Sequence, residues 1–570
     1  PSGRLTSTIA RRYEDYPSAG HFGDRHHSNY AEDVFVGYRY FETFARDAVL
    51  FPFGYGLSYS TFTLDNASCE VIDGDVVVDV DVTNVGARHT SRQVVQLYHS
   101  APDGPVTTPA RALAAFAKSR DLAPGDTQHI QLRFPVTDMA SYDDAGASGH
   151  RAAWILQPGR HEFFLGADVR SAERIGAHEV DGLQVVQQLE EACAPETTFR
   201  RMAVQRDASG RAVPRWEDTP ERTVDLRRRI LEGLPTPAEP CGDRAWELDD
   251  VADGSASLEQ FVAQLSLEEL EALSRGDIRM NSPLGTPGNA GVLGGVSDSL
   301  RAKGVPPITC TDGPSGIRLN TRAALLPCGT ALASSWNTEL VRALAVEHGR
   351  EMLAKGSDIL LSPGMNIHRD PLCGRNFEYY SEDPLITGRM GAAVVAGVQS
   401  QGVSACPKHF AANNQETNRS KHDSRVSERA LREIYLRGFE ICIKESSPHT
   451  IMTSYNKING VWSHYNHELV TTILRDQWGY DGLVMTDWWM QRSRDPDFPE
   501  LWDSAYRVRA QVDVLMPGGT ITGLRRGRDR ALLASHARPG GVTLGEMQRT
   551  AANVLRFVLV SRPFKRLREV

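Results

Sequence analysis

From about residue 256 onward, short apolar runs alternate with helix-like segments, and the runs end abruptly in polar residues. Parallel strands buried on both faces have this character, and they are joined by helices. The runs are PPITC before Thr311, DILL before Ser362, VSAC before Pro407, TIMTS before Tyr455, GLVMT before Asp487 and VDVLM before Pro517. This alternation favours a (β/α)8-type barrel over residues 256–570 and leaves a doubly wound open sheet as the alternative.

Helical spacing marks the segments between these runs. A helix is predicted over 258–276, ending at Gly276, and another from the capping residue Asn337 to Gly356. Two more are predicted from Ser427 and over 466–479.

The first part of the chain reads differently. Residues 48–175 contain alternating runs such as DVVVDVDVTNVG and RQVVQLYHS with frequent turns, which predicts a small antiparallel sandwich. Residues 1–47 lack a periodic core and read as the tail of another domain. Residues 176–255 are charged and are interpreted as a connecting segment that packs against its neighbours.

In a barrel, the polar residues that follow the strands meet at one mouth. Aromatic rings beside carboxylates and cations suit a sugar, whose CH faces stack while its hydroxyls need donors and acceptors. The residues expected there are Asp312, Asp370, Arg375, Lys408, His409, Tyr455, Asp487, Trp488 and Trp489. Structural ion pairs and helix caps are the competing interpretation of each one taken singly. Pattern alone does not choose among Asp312, Asp370 and Asp487 for a chemical role.

Several function classes are disfavoured. The net charge of −9 argues against nonspecific nucleic-acid binding, and no apolar run is long enough to span a bilayer. His464 and His467 lack a third ligand, so we expect a surface role and no metal; no cofactor is implied.

Eight scattered cysteines are interpreted as free thiols, which favours a reducing, cytoplasmic location. A homo-oligomer is compatible with the sequence, which does not fix the oligomeric state.

Five motifs in order, TDGPSGIR, RDPLCGRNFEYYSEDP, KHFAANNQE, TSYNKING and VMTDWW, resemble the barrel domain of glycoside hydrolase family 3, in its β-glucosidase branch. FVGYRYF, LFPFGYGLSYSTF and VVQLY resemble that family's sandwich-domain tail and fibronectin type III-like domain, and PSGRL resembles the last stretch of its α/β sandwich. The barrel comes last here, as in the branch with inverted domain order.

The resemblance implies a retaining, exo-acting β-glucosidase that acts on β-glucosides or short β-gluco-oligosaccharides. By motif, Asp487 matches the catalytic nucleophile. Residues that match the glycone subsite or its boundary are Asp312, Arg375, Lys408, His409, Met452, Tyr455 and Trp488. Asp312 near the sugar's C4 and C6 hydroxyls favours a hexose, with β-xylosidase activity as an alternative.

The family's acid/base Glu usually comes from the α/β sandwich, and no equivalent motif occurs in this sequence. The chain opens at Pro1 without an initiator Met, so we expect that numbering starts inside a longer product. We therefore expect this segment alone to be a poor catalyst that needs the α/β sandwich upstream or as a separate chain. A carbohydrate-binding fragment without turnover is the second hypothesis.

Overall fold

A computed structural model describes residues 2–239, 245–490, 494–500, 505–519 and 531–569. Most predicted elements are present. Helix 337–356 is confirmed: it runs from Thr338 to Lys355, Asn337 caps it, and Gly356 ends it in a left-handed conformation. The helix predicted over 258–276 is instead two helices, because Ser266 forms a second capping box in its middle.

The N-terminal segment lies against the C-terminal half of the chain. Its elements are β1 (Ile9–Ala10), β2 (His27–Asn29), α1 (Tyr38–Phe44) and β3 (Val49–Phe51). Strand β1 pairs with β3, whereas β2 forms a parallel pair with β20 (Asp423–Arg425). This segment is therefore part of the same packed unit as residues almost 400 positions later.

An antiparallel sandwich follows. Its sheets have the orders β12-β11-β6-β7, β4-β5-β8 and β13-β10-β9. The strands are β4 (Phe62–Ile72), β5 (Asp75–Asn84), β6 (Val94–Ser100), β7 (Ala112–Lys118), β8 (Thr127–Pro135), β9 (Ser141–Asp143), β10 (Ala153–Leu156), β11 (Gly159–Gly166), β12 (Glu173–Val180) and β13 (Gln184–Gln188). Alternate valines of β5 fill its core, as period-two patterning requires. Strands β12 and β13 extend this sandwich beyond residue 175, where the sequence suggested a connecting segment.

The connection to the last region contains a hairpin and short helices. They are β14 (Arg200–Arg206), β15 (Ala212–Asp218), α2 (Leu226–Glu232) and α3 (Leu248–Ala252).

The apolar runs of the C-terminal region are strands. They are β16 (Gly291–Gly294), β17 (Pro307–Thr311), β18 (Ile359–Leu360), β19 (Ser404–Ala405), β21 (Thr450–Met452), β24 (Leu483–Trp488) and β25 (Val514–Met516). Strand pairs β17–β18, β18–β19, β21–β24 and β24–β25 are parallel, as predicted, but β16 and β17 are antiparallel. The connection over residues 295–306 contains a short helix, Asp298–Ala302, and returns the chain to pair β17 antiparallel with β16.

Hydrogen bonds connect these strands into a ring. Met452 N donates to Pro407 O at 3.0 Å, which joins β21 to the end of β19. Leu515 N donates to Ser274 O at 3.0 Å, and Asp277 N donates to Val292 O at 2.9 Å, so residues 274–277 join β25 to β16.

Helices surround this ring. They are α4 (Leu258–Ala263), α5 (Leu267–Leu273), α6 (Asp298–Ala302), α7 (Gly329–Ala333), α8 (Thr338–Lys355), α9 (Pro384–Gln399), α10 (Glu428–Ala430), α11 (Arg437–Ser446), α12 (Tyr506–Arg509), α13 (Ala531–His536), α14 (Leu544–Val560) and α15 (Arg562–Arg568), with π-helical turns at Leu431–Tyr435 and Glu468–Gln477. Two short strands, β22 (Lys457–Ile458) and β23 (Val461–Trp462), continue the β2–β20 sheet.

Buried polar contacts bind the N-terminal segment to the ring. Arg369 Nε donates to Glu32 at 2.5 Å, with both side chains 1 % exposed. Glu382 accepts from the Thr8 backbone and hydroxyl, and Asp383 pairs with Arg39 at 2.8 Å while capping α9. Breaking a buried pair by removing one partner typically costs about 3–5 kcal/mol, so this junction is specific.

The prediction of a surface position for His464 is wrong. Its ring is 1 % exposed and lies 4.2 Å from the Tyr465 ring centre, because apolar residues of the adjoining turn enclose it. Over the described residues, no group of three or more His, Cys, Asp or Glu side chains is placed to hold a metal ion. Among the described helices none has the length and apolarity that crossing a membrane requires.

Candidate active site

Asp487 occupies the end of β24, and its carboxyl group is buried. Its Oδ1 accepts a hydrogen bond from Trp488 N at 2.7 Å, and its Oδ2 lies 3.6 Å from His409 Nε2, longer than a hydrogen bond. Burial raises the pKa of Asp487 above its usual range, and the positive charges of Arg375 and Lys408 oppose that rise. One oxygen of this carboxylate therefore remains free of a strong charged donor.

Asp312 follows β17 and, unlike Asp487, contacts two cations directly. Lys408 Nζ donates to its Oδ1 at 2.9 Å, and the Arg318 guanidinium contacts its Oδ2. Desolvation acts to raise the pKa of Asp312, but Lys408 and Arg318 outweigh it, and the pKa is lowered. Both oxygens of this carboxylate are bound to cations.

Lys408 and His409 come directly after β19 and are both buried. The His409 backbone and Asn366 side chain exchange two hydrogen bonds, at 3.0 and 2.9 Å, which fix the turn. Burial lowers the pKa of His409 well below its ordinary value, and the charges of Arg375 and Lys408 lower it further. The imidazole is therefore neutral, with Nδ1 3.2 Å from the Tyr379 hydroxyl.

Arg375 and Tyr455 complete the predicted group. The Arg375 guanidinium is bound to Glu378 and acts electrostatically on both Asp487 and His409. The Tyr455 hydroxyl donates to Trp488 O at 2.8 Å, and its interaction with Asp487 adds to the burial that raises its pKa.

The structure places Met452 and Trp488 mainly in the core of the ring. Met452 is 2 % exposed, and Trp488 is 9 % exposed with Nε1 donating to Ala290 O at 2.8 Å. Trp489, with a positive φ of 58°, is only partly buried.

Asp370 belongs to a different environment. Its Oδ2 accepts from Ser18 Oγ at 2.8 Å and from the Tyr13 hydroxyl at 3.3 Å, and its Oδ1 accepts from Leu372 N. This carboxylate fixes the turn before Arg375 from behind and is fully buried.

Sequence reasoning missed Arg419. Its guanidinium lies 4.7 Å from the Tyr455 ring centre, binds Glu416 at 2.7 Å, and lowers the pKa of both Asp487 and His409. Residue 419 follows the KHFAANNQE motif by three positions, and a cation so close to that motif was the available signal.

Two family models match this chain. Residues 296–555 match the Glycosyl hydrolase family 3 N terminal domain, and residues 93–169 match the Fibronectin type III-like domain. The first contains all of the predicted site residues.

Known proteins resemble nearly the whole chain. A β-glucosidase of Ruminococcus albus is 46 % identical over 98 % of this chain and 58 % of its own length, and β-glucosidase A of Butyrivibrio fibrisolvens is 40 % identical over 86 % and 62 %. The crystal structure of a β-glucosidase from Paenibacillus barengoltzii has a TM-score of 0.93 at 46 % identity, over 99 % of this chain and 62 % of that one.

The chain thus spans about three fifths of the length of these relatives. Within that span the likeness covers both the sandwich and the ring of strands. The chain therefore carries the glycoside hydrolase family 3 N-terminal domain, with the Asp487 site inside it, joined to a fibronectin type III-like domain.

Proposed function

We propose that this protein is a retaining, exo-acting β-glucosidase, or the part of one that carries the nucleophile. The observation that carries this proposal is the state of Asp487: a buried carboxylate with one oxygen held by a backbone N–H and the other free of a strong donor. The β-glucosidases that resemble the chain support the substrate class. The ring of strands is, on this proposal, a (β/α)8-type barrel with its β16 strand reversed.

In the proposed reaction, Asp487 attacks the anomeric carbon of a terminal β-D-glucosyl unit. The C–O bond to the leaving group breaks, a covalent glucosyl–Asp487 ester forms, and water later hydrolyses it with overall retention. Burial raises the pKa of Asp487, and the charges of Arg375, Lys408 and Arg419 oppose that rise and favour its ionised form. Asp312, held by Lys408 and Arg318, has oxygen lone pairs left to accept from sugar hydroxyls, and His409 and Tyr455 flank the attacking oxygen.

The leaving group needs a proton, and the described carboxylates around Asp487 do not provide one. Asp312, Glu378 and Glu416 each form an ion pair with a Lys or Arg side chain, and the pKa of Asp312 is lowered. We propose that a carboxylic acid from another polypeptide region, an α/β sandwich in the same product or in a partner chain, serves as general acid. Such assistance is typically worth about 10²–10⁴-fold.

The experiment is intact-mass analysis after incubation with a 2-fluoro-glucosyl inactivator that has an activated leaving group. An adduct of one glucosyl unit on the peptide that contains Asp487 is expected in the wild type and in Asp481→Asn, whose carboxyl is exposed in a turn before β24. A folded protein that forms no adduct contradicts the nucleophile assignment.

Two measurements separate the alternatives. An activated aryl β-glucoside needs little acid assistance, so a rapid burst of phenol is expected; its absence would favour a carbohydrate-binding fragment without turnover. Aryl β-xyloside should react with lower kcat/KM than the glucoside if Asp312 binds the hydroxyls near C4 and C6, and equal values would favour a β-xylosidase.

A further inference from the structure

A groove of about 380 Å³ lies between the sandwich and the outer face of the ring. The sandwich contributes Trp154 of β10 and Gln187 of β13, and helices α9 and α11 form the other wall. Its volume is within the roughly 300–1,000 Å³ of small-molecule sites. None of the residues that line it belongs to the Asp487 site.

Trp154 is the one aromatic side chain among the residues that line this groove. Its ring is half-buried and packs edge-on against Tyr142, with ring centres 5.4 Å apart, and Tyr142 is itself anchored by a 2.7 Å hydrogen bond to Glu428. Within the part of the chain that the structure describes, no hydrogen bond from the Trp154 indole N–H is present. A rigid indole with an unused donor can offer both an apolar face and a polar edge to a ligand.

The charged groups of the groove balance one another. Arg437 binds Asp138 at 3.0 Å and Glu440 at 2.8 Å, and Arg389 binds Glu445 at 2.9 Å. Lys444, also in the lining, lies 3.7 Å from Glu440. The groove therefore contains three cations and three carboxylates. Its net charge is close to zero and does not attract ions, but its side chains offer many donors and acceptors to hydroxyl groups.

The groove continues inward past Trp154. A smaller chamber of about 120 Å³ shares Trp154, Asp138 and Arg437 with it, and adds Ser141 and His99. Burial lowers the pKa of His99 to about 3, so its imidazole is neutral. The two cavities thus share Trp154 and polar residues in their linings, and this histidine adds no charge to the smaller one.

We propose that this groove is a second carbohydrate-binding site, in which a neutral β-gluco-oligosaccharide lays one pyranose face on Trp154 and bonds its hydroxyls to Gln187, Arg437 and Glu440. The combination of an aromatic platform with charge-balanced donors and acceptors fits an uncharged polyol better than an ion or a lipid. The choice of a glucan rests on the proposed function. The site gives the fibronectin-like region a role in retaining substrate near the barrel.

The test is titration calorimetry of the full chain with cellotriose after its Asp487 site has been blocked by the 2-fluoro-glucosyl label. One binding site should remain. Trp154→Ala should weaken that binding by roughly tenfold or more. Trp216→Ala, which removes an exposed indole from the β14–β15 hairpin, should leave the binding unchanged.

Glu440→Gln serves as a second variant, because it changes the opposite wall without opening the sandwich core, and it should weaken binding severalfold. Cellotriose that does not bind the blocked protein, or binds Trp154→Ala and wild type equally, overturns the inference. If the label does not attach, the proposed function fails, and the same titration on unlabelled protein still decides the groove by its dependence on Trp154. Aryl β-glucoside hydrolysis reports on the Asp487 site separately.

Discussion

Asp487 and Asp312 end strands on opposite sides of the ring, and the same lysine acts on both. Lys408 binds Asp312 directly at 2.9 Å, but it reaches Asp487 only through its electric field. As a result, Asp312 has a lowered pKa and both oxygens bound to cations, whereas Asp487 has a raised pKa and an oxygen without a strong donor.

This difference in environment suits the two carboxylates to different roles, hydroxyl recognition and nucleophilic attack. A carboxylate held by two cations is precisely oriented and still has lone pairs for sugar hydroxyls, which suits hydroxyl recognition, but the direct cation contacts make it a weaker nucleophile. A carboxylate that is desolvated and only indirectly neutralised has no cation bound to its attacking oxygen, which favours nucleophilic attack. The four predictions below test that division of roles.

The largest effect is expected for Asp487→Asn. Removal of the attacking oxygen should lower kcat on aryl β-glucosides on the order of 10⁶-fold, the scale seen when a catalytic nucleophile is removed. Steady-state kinetics measure it, with Asp481→Asn as the control. Azide should restore turnover to Asp487→Gly and release an α-glucosyl azide; comparable losses in Asp481→Asn would break the assignment.

Asp312→Asn should act mainly on substrate affinity. The change removes a charge that pairs with Lys408 and Arg318, and hydrogen bonds to charged groups are worth about 1.5–3 kcal/mol each. We expect kcat/KM to fall roughly 10²-fold, chiefly through KM. Yield of the 2-fluoro-glucosyl adduct at saturating inactivator should be preserved; loss of that adduct would make Asp312 part of the nucleophilic machinery.

Arg419→Gln should shift the pH profile. The Arg419 charge lowers the pKa of Asp487, so its removal lets burial raise that pKa further. Because the nucleophile must be ionised, the acidic limb of kcat/KM should move to higher pH. Arg425→Gln, which pairs with Asp423 in the β2–β20 sheet, is the control. An acidic limb that stays in place would show that Asp487 does not govern it.

Ser18→Ala should have the smallest effect. It removes one hydrogen bond to buried Asp370, at a cost of about 1–2 kcal/mol in the free energy of unfolding, while the acidic limb stays fixed. Chemical denaturation measures the stability, and Ser18→Thr should recover it. A shifted acidic limb of kcat/KM in Ser18→Ala would show that the N-terminal segment, through Asp370 and the turn before Arg375, affects the pKa of Asp487.

The sequence predicted the strands of the ring closely, because each is a buried apolar run bounded by turn residues. Six of the site residues, Asp312, Arg375, Lys408, His409, Tyr455 and Asp487, do lie together. The pattern of strands alone could not show that Asp370 lies outside the group that contains Asp312 and Asp487. The hydroxyls that bind Asp370 belong to Ser18 and Tyr13, more than 350 residues earlier in the chain.

Other differences between the predicted and the observed structure also depend on features that a local sequence pattern does not contain. The direction of the antiparallel β16–β17 pair is not written in the apolar pattern of either strand, because a short buried run has the same pattern in parallel and antiparallel pairs. The N-terminal segment shows no periodicity because its short elements pack on distant parts of the chain, through core residues such as Phe35 and polar contacts such as those of Arg369 and Glu382. Likewise, the position of Trp488 next to Asp487 suggests a platform for the ligand. Because side chains alternate along a strand, Trp488 instead faces the core, where its Nε1 donates to Ala290 O.

The parallel pairing of β2 with β20 has a consequence for how the protein is made. His27–Asn29 leaves the ribosome long before Asp423–Arg425, and the ring itself closes only when Leu515 reaches Ser274. The sandwich, whose strand pairs are local, and the β1–β3 pair can form first, while β2 waits for β20. Late, long-range closure makes this a slow-folding architecture, in which the open edge of β2 is exposed to misassociation during synthesis.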